Sequence, residues 1–161
     1  MKIGVISDTH VSEPTEELKS ISLDIFADVS MILHAGDLTR LSVLDAFPDK
    51  KVIAVAGNMD RYEVTSKLPE KEIIEVGGYR IGLIHGWGTV KGLEHRIIES
   101  FEDVHVIVYG HSHKTANHIN KGILMFNPGA YSGTNPFWNK RSVGMLTISE
   151  TEGVSGTIIN I

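Results

Sequence analysis

The chain has 161 residues, no cysteine and a formal net charge of −5. That excludes disulfide staples and thiolate metal sites, and the acidic balance argues against a binder of extended nucleic acid, which needs Lys and Arg to displace phosphate counterions. A chain of this length buries roughly two-thirds of the surface its unfolded form exposes, so one domain over residues 1–161 is expected without staples. No stretch approaches the ~20 apolar residues of a membrane helix, and the opening apolar run is too short for a secretory leader. A cytoplasmic protein with no membrane partner is therefore expected.

Residues 2–7 form a continuous, β-branched apolar run that reads as a buried strand. Residues 15–27 show helical spacing, with Leu18, Ile21, Ile25 and Phe26 on one face and Glu16 and Glu17 in the first turn, where the helix dipole favours acids. A strand over 31–35, a short helix over 41–47 stopped by Pro48, and a strand over 51–56 complete a β-α-β-α-β alternation, the signature of a parallel sheet. The pattern then changes. Runs 72–76 and 79–84 flank Gly77-Gly78, a two-residue hairpin signal. A helix over 93–101 and a strand over 104–109 follow. Runs 115–119 and 123–126 pair around Asn120-Lys121-Gly122, and runs 142–149 and 154–161 form a last hairpin about Glu152-Gly153. The irregular stretch 131–140 carries Pro136-Phe137-Trp138, an apolar cluster that either packs on the chain itself or, as the slightly favoured reading, forms an oligomer contact. A dimer or a tetramer would use it.

Five polar clusters punctuate these runs: Asp8-Thr9-His10, Gly36-Asp37, Gly57-Asn58-Met59-Asp60, His85-Gly86 and Gly110-His111-Ser112-His113. In open α/β sheets, ligands bind beyond the carboxyl ends of the strands, so the clusters are expected at one rim. Asp-x-His and His-x-His would place both side chains on one side of an extended segment. The glycines at 36, 57, 86 and 110 would let the backbone turn sharply there. Asp8, His10, Asp37, Asn58, His85, His111 and His113 make seven candidate metal ligands. Two ions about 3.5–4 Å apart, sharing one carboxylate, would use them all. Mixed nitrogen and oxygen donors without sulfur suit manganese, iron, zinc, cobalt or nickel ahead of calcium or magnesium alone. Manganese is the expected metal, with nickel, iron, cobalt, zinc and magnesium as alternatives.

The order of these motifs, followed by Asn127-Pro128-Gly129, resembles the calcineurin-like metallophosphoesterase superfamily, in particular its small bacterial and archaeal phosphodiesterase branch. The resemblance spans about residues 1–130. It implies an α/β fold, a four-layer αββα sandwich of two mixed β-sheets flanked by helices. It also implies one metal on Asp8, His10, Asp37 and His113, a second on Asp37, Asn58, His85 and His111, and Asp37 as the bridge. A hydroxide held between the ions would attack phosphorus in line, giving a dinuclear-metal-dependent phosphodiesterase in which Asp37, Asn58 and His85 serve catalysis.

Two positions depart from the family pattern. Met59 stands where many superfamily phosphatases carry a His that helps protonate the leaving group, which favours diesters with good leaving groups. Trp87 stands where relatives often have a second His after His85-Gly86, and it either stacks on an aromatic substrate group or covers the rim. Asn58 and Trp87 are the candidate substrate contacts, and a small phosphodiester is the expected partner. Asp60 is read as orienting Asn58 or its loop, His34 as a core or supporting histidine, and Asn127 as setting the turn before Pro128. The alternative function is an inactive scaffold on the same fold, like the retromer subunit that resembles this branch. The complete ligand set argues for a working site.

Overall fold

The computed structural model describes residues 1–133 and 140–161, so the Pro136-Phe137-Trp138 cluster lies outside the described residues. Among the described residues, ten strands are distributed over two five-stranded sheets. In the first, β1 (Lys2–Ile6) lies at the centre, with β2 (Met31–His34) and β3 (Lys51–Ala54) parallel to it on one side. The last hairpin, β9 (Ser142–Ser149) and β10 (Gly153–Asn160), joins antiparallel on the other, with Lys2 opposite Thr147. The second sheet runs β4 (Lys71–Val76), β5 (Tyr79–Ile84), β6 (Val106–Val108), β8 (Ile123–Asn127), β7 (Ala116–Asn120). In it β5, β6 and β8 are parallel, and antiparallel hairpin partners close each edge.

Strand alternation explains the layers. Ile3, Val5, Met31 and Leu33 of the first sheet face Ile81, Leu83, Val106, Val108 and Phe126 of the second in one inner core. Side chains between them face the opposite way, because successive strand residues alternate. Ile6 and Ile32 thus meet α1 (Glu16–Leu23) and a 3-10 turn over Leu41–Ala46. Ile107 and Met125 meet α3 (Leu93–Ile98) on the far side of the second sheet. Two stacked mixed sheets with helices outside are the αββα sandwich that the sequence resemblance implies. The Phe126 ring is accommodated by the missing side chains of Gly144 and Gly156, where any Cβ would overlap it. Gly144→Ala would overpack this contact, a change that typically costs about 1–3 kcal/mol.

Element ends differ from the sequence expectation where local chemistry stops them. Thr15 caps α1 through its Oγ1, which accepts from Leu18 N at 3.1 Å, but the helix ends at Leu23, and residues 24–28 continue as turns that place Phe26 under Gly4. The helix expected over 41–47 is a 3-10 turn. A short α2 (Tyr62–Thr65), which the sequence reading missed, carries the chain from the Asn58 loop to β4.

Candidate metal centre

All five polar clusters follow the carboxyl ends of parallel strands: Asp8 after β1, Asp37 after β2, Asn58 after β3, His85 after β5 and His111 after β6. The two sheets stack so that these ends form one rim. Asp8 N donates to Gly36 O, His10 N to Asp37 O and Gly110 N to His85 O, each at 3.1 Å. The expected extended geometry of Asp-x-His and His-x-His is not what forms. Asp8, His10, Asp37, His111 and His113 all have φ between 48° and 65°, five of the eight non-glycine residues with left-handed backbone among those described. Such conformations are unfavourable for residues with a Cβ and persist where surrounding structure enforces them, commonly at functional sites. The loops curl at once off the strand ends, and that curl brings both members of each pair inward.

Only two of the four flanking glycines have the backbone freedom expected of them. Gly36 and Gly86 have φ of 92° and 101°. Gly57 and Gly110 are needed for close approach instead: a Cβ on Gly57 would collide with the Asp37 carboxylate, and one on Gly110 with Ser7 and Asp8.

The seven candidate ligands converge in two adjoining groups. In the first, Asp8 Oδ1 lies 3.1 Å from His113 Nε2 and 3.7 Å from His10 Nε2, and the two imidazole nitrogens face each other at 3.4 Å. In the second, Asn58 Oδ1 lies 3.1 Å from His85 Nε2 and 2.8 Å from His111 Nδ1. Asp37 stands between them, its Oδ2 3.3 Å from His85 Nε2 and 3.7 Å from His10 Nε2. Its other oxygen is anchored, accepting from Met59 N at 2.7 Å.

Backbone carbonyls select the ring tautomers of the second group. His85 Nδ1 donates to Ala35 O and His111 Nε2 donates to Gly88 O, both at 2.7 Å. A carbonyl only accepts, so in the neutral rings His85 Nε2 and His111 Nδ1 keep their lone pairs, and both point at Asn58 Oδ1. Orienting an imidazole through its remote nitrogen is how proteins prepare a histidine for a metal. Three lone-pair atoms crowded together repel unless a proton or a cation sits among them.

Electrostatics give the same reading. Asp8 is fully buried, and its Oδ1, which accepts no hydrogen bond of proper geometry, has the His113 and His10 ring nitrogens at 3.1 and 3.7 Å. Burial pushes the Asp8 carboxyl up, but the neighbouring histidines pull harder and hold it well below the usual carboxylate range. Burial likewise raises Asp37, while His85 and the Met59 amide lower it by more. Burial lowers His85, but the Asp37 carboxylate outweighs it and raises the ring. The Asp8 carboxylate raises His113 against burial. The neighbouring carboxylates therefore draw protons onto His85 and His113, and a divalent cation would compete for those same lone pairs. Buried anionic oxygens and bare ring nitrogens, without sulfur, are a donor set suited to transition metals.

Supporting residues lie around this centre. Ser7 Oγ donates to Asp8 Oδ2 at 2.6 Å. Asp60 does not touch Asn58; its carboxylate accepts from the amides of Asp37, Thr39 and Gly57 and so clamps two ligand loops together. Burial raises its pKa against those amides. His34 is a supporting residue, as expected. Its Nδ1 accepts from Gly36 N and its Nε2 bonds Thr9 Oγ1, both at 3.2 Å. Asn127 accepts from Gly129 N, as its turn role requires, and also donates to Gly110 O at 2.8 Å, tying the His111 loop to β8. The sequence reading missed Arg96, whose guanidinium gathers the carbonyls of Trp87, Thr89 and Lys91 and so shapes the loop that presents Gly88 O to His111. Its spacing from Trp87 gave no signal, because loop and helix meet only through the turn between them. Met59 and Trp87 are both exposed beside the site, at 60% and 46%.

Comparison with known proteins agrees with this geometry. The calcineurin-like phosphoesterase superfamily domain matches residues 1–151. A probable metallophosphoesterase of Methanothermobacter thermautotrophicus is 37% identical over 152 residues, covering 92% of this chain and 86% of that protein. The chain belongs to the calcineurin-like phosphoesterase superfamily, whose members depend on divalent metals. Among solved structures, a novel archaeal phosphodiesterase superposes with a TM-score of 0.73 at 23% identity, covering 99% of this chain and 100% of that one. Vps29 of Entamoeba histolytica complexed with zinc gives 0.73 at 24%, covering 99% of each chain. These two likenesses establish the shared fold. Among the described residues, no helix is long and apolar enough to cross a membrane.

Proposed function

We propose that the protein is a dinuclear-metal-dependent phosphodiesterase acting on small diesters, with Asp8, His10, Asp37 and His113 holding one ion and Asp37, Asn58, His85 and His111 the other. The observation that carries this reading is the position of Asp37 Oδ2, within 3.3 Å of His85 Nε2 and 3.7 Å of His10 Nε2, beside the buried and unbonded Asp8 Oδ1. Two divalent cations at such a site supply Lewis-acid charge to the phosphoryl oxygens and an attacking water of lowered pKa.

The chain's own residues do the rest. Asp37 ties the two groups together through one oxygen while Met59 N fixes the other. Ala35 O and Gly88 O hold the His85 and His111 rings in the tautomer that presents a lone pair inward. The Asn58 amide, half free beyond its Oδ1, is placed to orient a phosphoryl oxygen. Met59 has no proton to donate, so the reading favours diesters with good leaving groups over unactivated monoesters. Manganese is the working metal in this reading, and the location cytoplasmic.

The test uses protein stripped with chelator, an activated aryl phosphodiester, the matching monoester, and a panel of divalent metals. Metal-dependent turnover with the diester preferred is expected. Tight binding of two ions without turnover of either ester would favour a scaffold role instead.

A further inference from the structure

A cavity of about 560 Å³ opens directly off the candidate metal centre. Asn58, His85, Trp87, Thr65, Lys71 and Ser100 are among the residues that line it. The space lies between α2 and the end of β5, where an edge of the first sheet meets an edge of the second. Lys71 is held in place there: its Nζ donates to Ser100 O at 2.6 Å and lies 5.5 Å from the centre of the Phe101 ring. An ammonium has three donors, so this one has others to offer inward.

We propose that this cavity seats the nucleoside arm of a nucleotide diester, with Trp87 stacking on the base and Lys71 donating to its carbonyl or ring-nitrogen acceptors. The inference rests on the phosphodiesterase reading and names its substrate class. The cavity begins at two of the candidate ligands, so a group in it is covalently within reach of a phosphorus at the centre. Its chemistry is two-sided, with an indole face and a polar wall, which matches a flat heteroaromatic ring with polar edges. An acyl chain would strip water from the remaining donors of the Lys71 ammonium and give them no partner, which is costly for a charged group. A second cavity of about 540 Å³ beside α3 is lined by none of the seven candidate metal ligands. Its carboxylate, Glu94, is already engaged by Tyr109, His118 and Asn120.

Two measurements test this and separate it from the activity itself. The first compares thymidine 5′-(4-nitrophenyl phosphate) with methyl 4-nitrophenyl phosphate, which share a leaving group. Base stacking on an aromatic side chain predicts kcat/KM roughly tenfold higher for the thymidylyl ester. Trp87→Ala should bring the ratio close to unity, and Trp87→Phe should restore part of it. Equal kcat/KM in the wild type, or a ratio that Trp87→Ala leaves in place, would overturn the inference. The second measurement does not depend on turnover. The chain has two tryptophans, so Trp138→Phe leaves Trp87 as the only indole emitter. Saturable quenching by thymidine 5′-monophosphate but not by deoxyribose 5-phosphate is expected, and its absence would overturn the subsite. Failure of both esters with every metal would sink the phosphodiesterase reading, while the quenching would still decide the cavity.

Discussion

The two halves of the candidate metal centre are built differently. Around Asn58, both imidazoles are fixed from behind by backbone carbonyls, and His85 is almost completely enclosed, with 2% of its side chain exposed. Around Asp8, the carboxylate is fully buried, His113 is one-third exposed, and the two ring nitrogens, 3.4 Å apart, converge on Asp8 Oδ1. In the first half the rings are aimed by backbone carbonyls, in the second by a buried carboxylate. A preformed geometry loses less freedom when an ion binds, so the Asn58 half should hold its ion more tightly. Asp37 joins the halves, and its anchored Oδ1 leaves one oxygen for both.

Removing that joint should have the largest effect. Asp37→Asn takes away the shared anionic oxygen and should reduce turnover of an aryl diester on the order of 10³-fold, the scale of losing a charge-stabilising group in an active site. Metal analysis should show both ions weakened. Retention of two tightly bound ions would break the claim that the halves share a ligand.

The next effect is read in pH. Burial holds His34 down to about 4, against an ordinary value of 6.5. The unfolded chain then binds the proton more readily, so the His34 contribution to stability is complete above pH 6.5 and is lost as pH falls toward 4, up to about 3 kcal/mol. His85 and His113 have raised values and act with the opposite sign: their contribution is present at acid pH and lost as pH rises through their elevated values. An NMR titration of the histidine ring carbons separates them. His34 should remain neutral at pH 5 while His113 is charged, and a His34 ring that titrates near 6.5 would contradict its enclosure.

A smaller change sharpens the contrast between the halves. Arg96→Ala releases the Trp87–Lys91 loop and with it Gly88 O, so it should weaken only the ion of the Asn58 half, by about tenfold, as expected for losing an outer partner of a metal-bound histidine. Equal weakening of both ions would show that the loop supports the fold rather than His111. Met59→His should have the smallest effect, a severalfold rise in monoester relative to diester turnover. An unchanged ratio would remove Met59 from the account of leaving-group preference.

The candidate ligands stood out in the sequence because each closes an apolar run, and the strand ends that carry them converge once the strands are parallel. Less was legible in how the loops turn. The left-handed backbone at Asp8, His10, Asp37, His111 and His113 follows from contacts between clusters distant in the chain, such as Asp8 N to Gly36 O. Asp and His enter that region more readily than most residues with a Cβ, but that preference alone does not single out these five positions. The division of strands between sheets was similarly hidden: β9 pairs with β1 across nearly the whole chain, and hairpin signals do not say which sheet a hairpin joins. The sequence reads Asp60 as orienting Asn58 or its loop, and it does hold that loop through Gly57 N; that it also holds the Asp37 loop was hidden, because that role exists only when Asp37 and Gly57 are neighbours.

The central claim is that one rim holds two cations through a shared carboxylate. Calorimetric titration of chelator-stripped protein with Mn²⁺, followed in parallel by turnover of an activated aryl phosphodiester, tests it most directly. Two ions per chain are predicted, bound with unequal affinity, and turnover should rise as the second site fills. Saturation at a single ion with full turnover, or no tight binding at all, would contradict the account.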